Sequence, residues 1–191
     1  ALAYAIDFDE IVSSVYDENS MAINQLAAPG SILYSDNVVS YDYNPQKARE
    51  LLKEAGYGPG GNKLEVELIT ESIPAQKLMC EAIQAQLIDV GVDCKITVLE
   101  AAAYFEKVII NPWEDDWVVL MGTTFNAYCP LTGVDRLMGA NHAKMLPSVF
   151  FPDEWVENIV QAAAQPTLDE AAPYYKKAQE LFFNDYCGFL G

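Results

Sequence analysis

The sequence predicts an α/β fold, a small mostly parallel sheet flanked by helices. Three observations predict it. Leu64–Thr70 and Val92–Leu99 each alternate apolar and polar residues, the period of a strand. Between them, Pro74–Val90 has Met79, Ile83, Leu87 and Val90 on one helical face, with Gly91 as its stop. Trp117–Met121, WVVLM, is a continuous apolar run suited to a strand buried on both faces. A strand, a helix and a strand in immediate succession form a βαβ unit, whose two strands run parallel.

The other elements follow in chain order. Ala1–Tyr16 reads as helix, broken at Asp7, which caps a second turn that buries Ile11, Val12 and Val15. Asp17–Asp42 has no sustained period, and Asn24, Pro29-Gly30 and Asn37 mark an irregular loop. A loop of that length inside a domain is functional or wraps a surface. Asn44-Pro45 starts a helix, with the Asn side chain as cap and proline at the first helical position. Its apolar face is Ala48, Leu51, Leu52 and Ala55, and Gly56 stops it. In Leu64–Thr70, Leu64, Val66 and Leu68 face inward, while Glu65 and Glu67 lie on an exposed side. Ala101–Ile110 reads as helix. Asp153 is placed to cap a helix carrying Trp155, Val156, Ile159, Val160 and Ala163. Thr167–Glu170 fits a capping box, and the helix behind it carries Tyr174, Ala178, Leu181 and Phe182.

Composition narrows the function. The chain has 191 residues, 51% of them hydrophobic, enough for one domain with its own core. Its net charge of −17 opposes a nucleic-acid partner, which needs basic patches, and an anionic membrane surface. No apolar run approaches the roughly 20 residues of a membrane helix. The first residues already read as the inside of a helix pair, so the chain is expected to be part of something longer. Cys80, Cys94, Cys129 and Cys187 form no CxxC pair, and His142 alone is too little for a common zinc set. Free thiols are expected, with bridges left open for an oxidising compartment.

No nucleophile elbow, P-loop or dinucleotide fingerprint occurs. His142 could pair with a cysteine as its base but reads as an ordinary loop histidine, and Trp113–Trp117, WEDDW, could offer oxygen ligands to a hard cation but reads as a solvated acidic turn, so no metal or cofactor is expected. The segment Met121–Pro130, MGTTFNAYCP, stands out. It follows the most buried strand, and ligands of open parallel sheets bind beyond the strands' carboxyl ends. Thr123, Thr124, Asn126 and Tyr128 offer hydrogen bonds; Phe125 and Tyr128 offer stacking surface. These five are the candidate ligand-binding residues.

ALAYAID with Ile11-Val12, Pro29-Gly30, YDYNPQKARELLKEAGY and AIQAQLIDVGVDCKI, taken in that order, resemble the peptide/nickel class (family 5) of extracytoplasmic solute-binding proteins that serve ABC transporters. The resemblance spans nearly the whole chain and is most specific over Asn44–Tyr57. It implies a class II periplasmic-binding-protein-like lobe, with residues 1–191 as a single lobe, most of the C-terminal one, without the other lobe or the hinge return after Phe189. It implies no catalysis: an oligopeptide-like solute binds between two lobes and passes to a membrane permease. The parent is then expected to be a monomer outside the cytoplasm, on a lipid anchor or in a periplasm. A nickel complex, a glycan or a signalling role is the alternative within this class. A cysteine-dependent hydrolase using Cys129 or Cys187 is the rival outside it.

In dipeptide-binding members the loop reads much like MGWTGDNGDP. Here Thr123 stands in place of the Trp, and Asn126 in place of the Asp that pairs with the peptide amino terminus. Losing a buried charge partner costs on the order of 2–5 kcal/mol. Asn126→Asp in the complete protein is therefore expected to favour peptides with a free amino terminus. Calorimetric titration with free and N-acetylated peptides checks this; an unchanged ratio of affinities contradicts it.

Overall fold

The computed structural model describes residues 1–16, 20–58, 60–112, 118–121 and 152–185. The chain divides into two compact units, residues 1–22 with 41–123, and residues 23–40 with 124–191.

The first unit begins with the expected broken helix: α1, Leu2–Ala5, and α2, Phe8–Val15. Asp7 caps α2, accepting from Glu10 N at 2.9 Å. After the loop comes α3, Pro45–Glu54, whose cap Asn44 accepts from Lys47 N at 3.0 Å. Gly56 takes φ +87°, which lets Gly56 N reach Lys53 O and Tyr57 N reach Leu52 O, the paired bonds of a Schellman ending. This helix braces α1: Asn44 N donates to Tyr4 O at 2.8 Å, and Lys47 Nζ donates to the Tyr4 hydroxyl at 2.8 Å.

The βαβ unit follows as expected. Strand β1, Glu65–Glu71, leads to α4, Pro74–Asp89, and then to β2, Asp93–Leu99. Then come a helical turn α5, Ala101–Tyr104, π-helical turns over Phe105–Ile110, and β3, Val118–Met121. The sheet order is β2-β1-β3, all parallel. Helix α4 ends on a second Schellman pair through Gly91 at φ +88°, with Val92 N on Leu87 O at 3.0 Å. Leu87 and Val92 are both buried at that corner. Among the described residues no helix is long and apolar enough to cross a membrane.

Three expectations for this unit change. β1 is not half-exposed: it is the central strand, and Val66 through Thr70 are all buried, Glu67 included. Alternation misleads there because Glu67 is buried against Thr97, Lys95 and Lys107. On α4 the buried stripe is Cys80, Ile83 and Leu87, with Met79 turned partly aside to meet the Tyr16 hydroxyl at 3.3 Å. On the edge strand β2, Val98 is exposed and Cys94 and Ile96 are only half-buried.

The second unit joins the loop over residues 23–40 to a helix pair, α6, Asp153–Ala163, and α7, Leu168–Glu180, which runs on in π-helical turns over Leu181–Asp185. The loop wraps a surface, and does so by supplying core. Leu26, Ala27, Leu33 and Val38 pack with Trp155, Ile159, Tyr175 and Phe183. Burying a leucine contributes about 1.5–3 kcal/mol. Polar staples fix the rest. Gln179, fully buried, accepts from Ala27 N at 3.1 Å and donates to Leu33 O at 2.9 Å. Gln25 closes the loop on Ser35 through both its amide atoms, and Asn184 accepts from Val39 N and donates to Asn37 O.

Here too the sequence reading needs correction. Pro152, not Asp153, is the cap of α6; Asp153 is its first helical residue, where its charge suits the helix dipole. The buried face is Trp155, Ile159 and Ala162, leaving Val156, Val160 and Ala163 exposed. On α7 the stripe is Ala171, Tyr175 and Ala178, continued by Leu181 and Phe183; Tyr174 and Phe182 are only partly buried. The π-helical turns add residues per turn, so the face advances past Phe182 to Phe183. Thr167 does cap α7: its hydroxyl accepts from Glu170 N at 3.3 Å and donates to the Glu170 carboxylate at 3.0 Å.

Gln179→Leu strands a backbone donor and a carbonyl in the core, at about 1–3 kcal/mol each. It is expected to destabilise the chain by several-fold more than Asn44→Ala, which removes one cap worth about 1 kcal/mol. Denaturant unfolding of the two variants checks the ranking; equal losses contradict it.

Candidate functional site

All three strands run parallel, so their carboxyl ends share one edge of the sheet. The register makes that edge level: Thr70 pairs with Val98 and with Met121, and Glu71 with Leu99. Ser72 N donates to Leu99 O at 2.8 Å, extending the ladder by one bond beyond the strands. Two helices start there. α4 begins three residues after β1, with no side-chain cap on Ile73, and α5 begins two residues after β2, with none on Glu100.

The side chains gathered at this edge are polar or titratable. The Thr70 hydroxyl, fully buried, is 3.0 Å from Gln76 Oε1 and 3.3 Å from Glu71 O, and it can donate to either. Burial pushes the Cys80 thiol up to about 11, with Thr70 hydrogen bonding opposing the shift and Glu81 adding to it. Burial, then the charges of Glu71 and Cys80, raise the Tyr104 phenol to about 12. Thr70, Cys80 and Tyr104 are themselves buried, so the edge is open to a solute through its half-buried side chains, Glu71 and Gln76. It can offer directed hydrogen bonds to a polar solute. Cys94, on β2, is likewise raised to about 11 by burial and then by Cys80. Neither thiol is a ready nucleophile, since only the thiolate attacks.

Thr123, Thr124, Phe125, Asn126 and Tyr128 lie outside the described residues, as do Trp113–Trp117, Cys129, His142 and Cys187. What is described is the strand that leads to the five: β3 ends at Met121, on the same edge as Thr70 and Glu71. Sequence reasoning missed Thr70, Glu71, Gln76 and Tyr104. The signal was available, because the rule that singles out MGTTFNAYCP after one strand applies equally to ITES after β1 and LEAAAY after β2. Cys80 and Cys94 are free thiols, as expected for these two. Among the described residues no group of His, Cys, Asp and Glu could hold a metal ion.

The raised thiols give a checkable consequence. In the unfolded chain they ionise near 9.0, whereas in the folded chain they hold their protons to about 11. Their contribution to stability is thus fully present below pH 9 and is lost as the pH rises from there towards 11. Urea midpoints should fall across that window, and less in Cys80→Ala. Iodoacetamide at pH 8 should label native Cys80 about a hundredfold more slowly than a model thiol. Labelling at the rate of a free thiol contradicts this.

Comparison with known proteins agrees with this architecture. Residues 1–138 match the family model for bacterial extracellular solute-binding proteins, family 5 middle. The dipeptide-binding protein of Escherichia coli is 35% identical over 192 residues, covering 94% of this chain and 34% of that protein. Heme-binding protein A of Haemophilus influenzae is 29% identical over 194 residues, covering 96% and 34%. The chain thus spans about a third of the length of these curated relatives. Among solved structures, the periplasmic binding protein DppA from Helicobacter pylori, in complex with the peptide STSA, superposes with a TM-score of 0.75 at 25% identity, covering 96% of this chain and 36% of that one. The fold is that of the periplasmic binding proteins, and with more than half its length matching the family model, the chain belongs to the bacterial extracellular solute-binding proteins of family 5.

Proposed function

We propose that the chain is the greater part of one lobe of the substrate-binding component of an ABC importer. The parent protein takes an oligopeptide-like solute between two lobes and delivers it to membrane permease subunits. It acts as a monomer outside the cytoplasm, in a periplasm or on a lipid anchor at the outer face of the membrane, and it performs no chemistry on the solute. One observation carries the reading: three parallel strands end level at an edge lined by Thr70, Glu71, Gln76 and Tyr104, in a chain of family 5. Relatives named for dipeptide binding, and DppA holding a peptide, support the oligopeptide class.

The mechanism follows from differential affinity. The solute stabilises the closed arrangement only by binding it better than the open one. This chain supplies donors and acceptors from strand ends, which the sheet ladder holds in fixed register, so the ordering cost on binding is small. A lone lobe offers part of the contacts, and the isolated chain is expected to bind weakly or not at all. Thr123, Thr124, Phe125, Asn126 and Tyr128, which follow β3 in the sequence, are further ligand-binding residues in this reading. A second reading, a metal-complex or other non-peptide solute, is favoured by the relative named for heme binding.

Native mass spectrometry of the parent protein, purified without added ligand, tests the proposal. A bound mass that dissociates into peptide fragments is the expected result. A bound porphyrin, metal complex or sugar replaces the substrate class while leaving the binding role, and turnover of a bound peptide contradicts the binding role itself.

A further inference from the structure

Glu67 lies in the middle of the central strand with 9% relative exposure. A carboxylate so placed is costly unless both its oxygens find donors or cations. Here the two oxygens serve different elements. Oε1 accepts from the Thr97 hydroxyl and lies 3.6 Å from Lys95 Nζ, both on β2. Oε2 lies 3.6 Å from Lys107 Nζ, on the π-helical turns over Phe105–Ile110.

The two attachments are not equivalent. The backbone ladder already fixes β2 beside β1, with Lys95 directly opposite Glu67, so the Oε1 contacts add little to where β2 lies. Among the described residues no strand ladder includes the π-helical turns. Such turns are rare and are frequent at functional sites. Val108 anchors them in the core at 0% exposure, while Phe105 and Ile110 point outward at 50% and 48%. The residue before these turns is Tyr104, buried within the electrostatic reach of Glu71 at the carboxyl edge.

We infer that Glu67 is a positioning residue for the candidate site: through Oε2 and Lys107 it seats the π-helical turns on the sheet, and so holds Tyr104 beside Glu71 where the solute would meet the edge. The inference rests on the solute-binding reading above. Lys107 is the informative partner, because its side chain is 42% exposed and Lys107→Met leaves the buried carboxylate with its Oε1 contacts.

The experiment uses the complete parent protein with Lys107→Met, Lys107→Arg and Lys95→Met, and trialanine as the probe. Hydrogen exchange over residues 104–110 reports the seating, and calorimetric titration reports binding. Lys107→Met is expected to speed exchange there and weaken trialanine binding, each by about fivefold to tenfold. Lys107→Arg should restore both, since it keeps the charge. Lys95→Met should leave both near wild type, because Thr97 still serves Oε1. Unchanged exchange in Lys107→Met, equal effects of Lys95→Met and Lys107→Met, or faster exchange with undiminished binding each overturns the inference. Wild-type protein that binds no trialanine counts against the oligopeptide reading instead, and the exchange comparison then decides the seating on its own.

Discussion

The burial of β1 on both faces governs the first unit. A central parallel strand must be covered on each side, and its neighbours must run the same way, so each connection has to cross over. α4 supplies one cover, with Cys80, Ile83 and Leu87 facing inward. α5 and the π-helical turns contribute Tyr104 and Val108 to the core. The cost of this arrangement is concentrated at Glu67, on whose carboxyl group a hydroxyl and two ammonium groups converge. Level strand ends follow from the same pairing, and the level ends create the edge where polar groups gather.

The second unit solves a different problem. A loop without regular structure must satisfy its backbone groups, and here amide side chains do so. Gln25, Gln179 and Asn184 each bond a loop carbonyl and a loop N–H at once. Apolar loop residues then join the helix-pair core, so the loop is ordered by its interior contacts.

Much of this was legible in the sequence, for local reasons. Caps at Asp7, Asn44 and Thr167 and stops at Gly56 and Gly91 are written in a few adjacent residues, and each is found in its place. The βαβ unit followed from two periods and one connection rule. What was misread depends on partners distant in sequence. Glu67 reads as a solvent-facing residue until Thr97 and Lys107 are beside it. Val156 and Val160 read as core because α6 has two apolar stripes, and only packing selects Trp155 and Ile159. Phe182 was preferred over Phe183 because an unbroken α-helical period cannot foresee a π-helical turn, and between the adjacent Tyr174 and Tyr175 only packing selects Tyr175. For the candidate site, the edge was read through β3 alone, although the same rule reaches the residues after β1 and β2; that the three strand ends lie level required the pairing register.

Under the proposed function, the carboxyl edge of the parallel sheet is where this lobe would meet its solute. The parallel register makes that edge level. A crystal structure of the complete parent protein with its co-purified solute tests this claim most directly. The account predicts solute atoms within hydrogen-bonding distance of groups at the strand ends, among residues 70–76, Tyr104 and residues 123–128. A solute held at the amino edge of the sheet, or wholly outside this lobe, contradicts it.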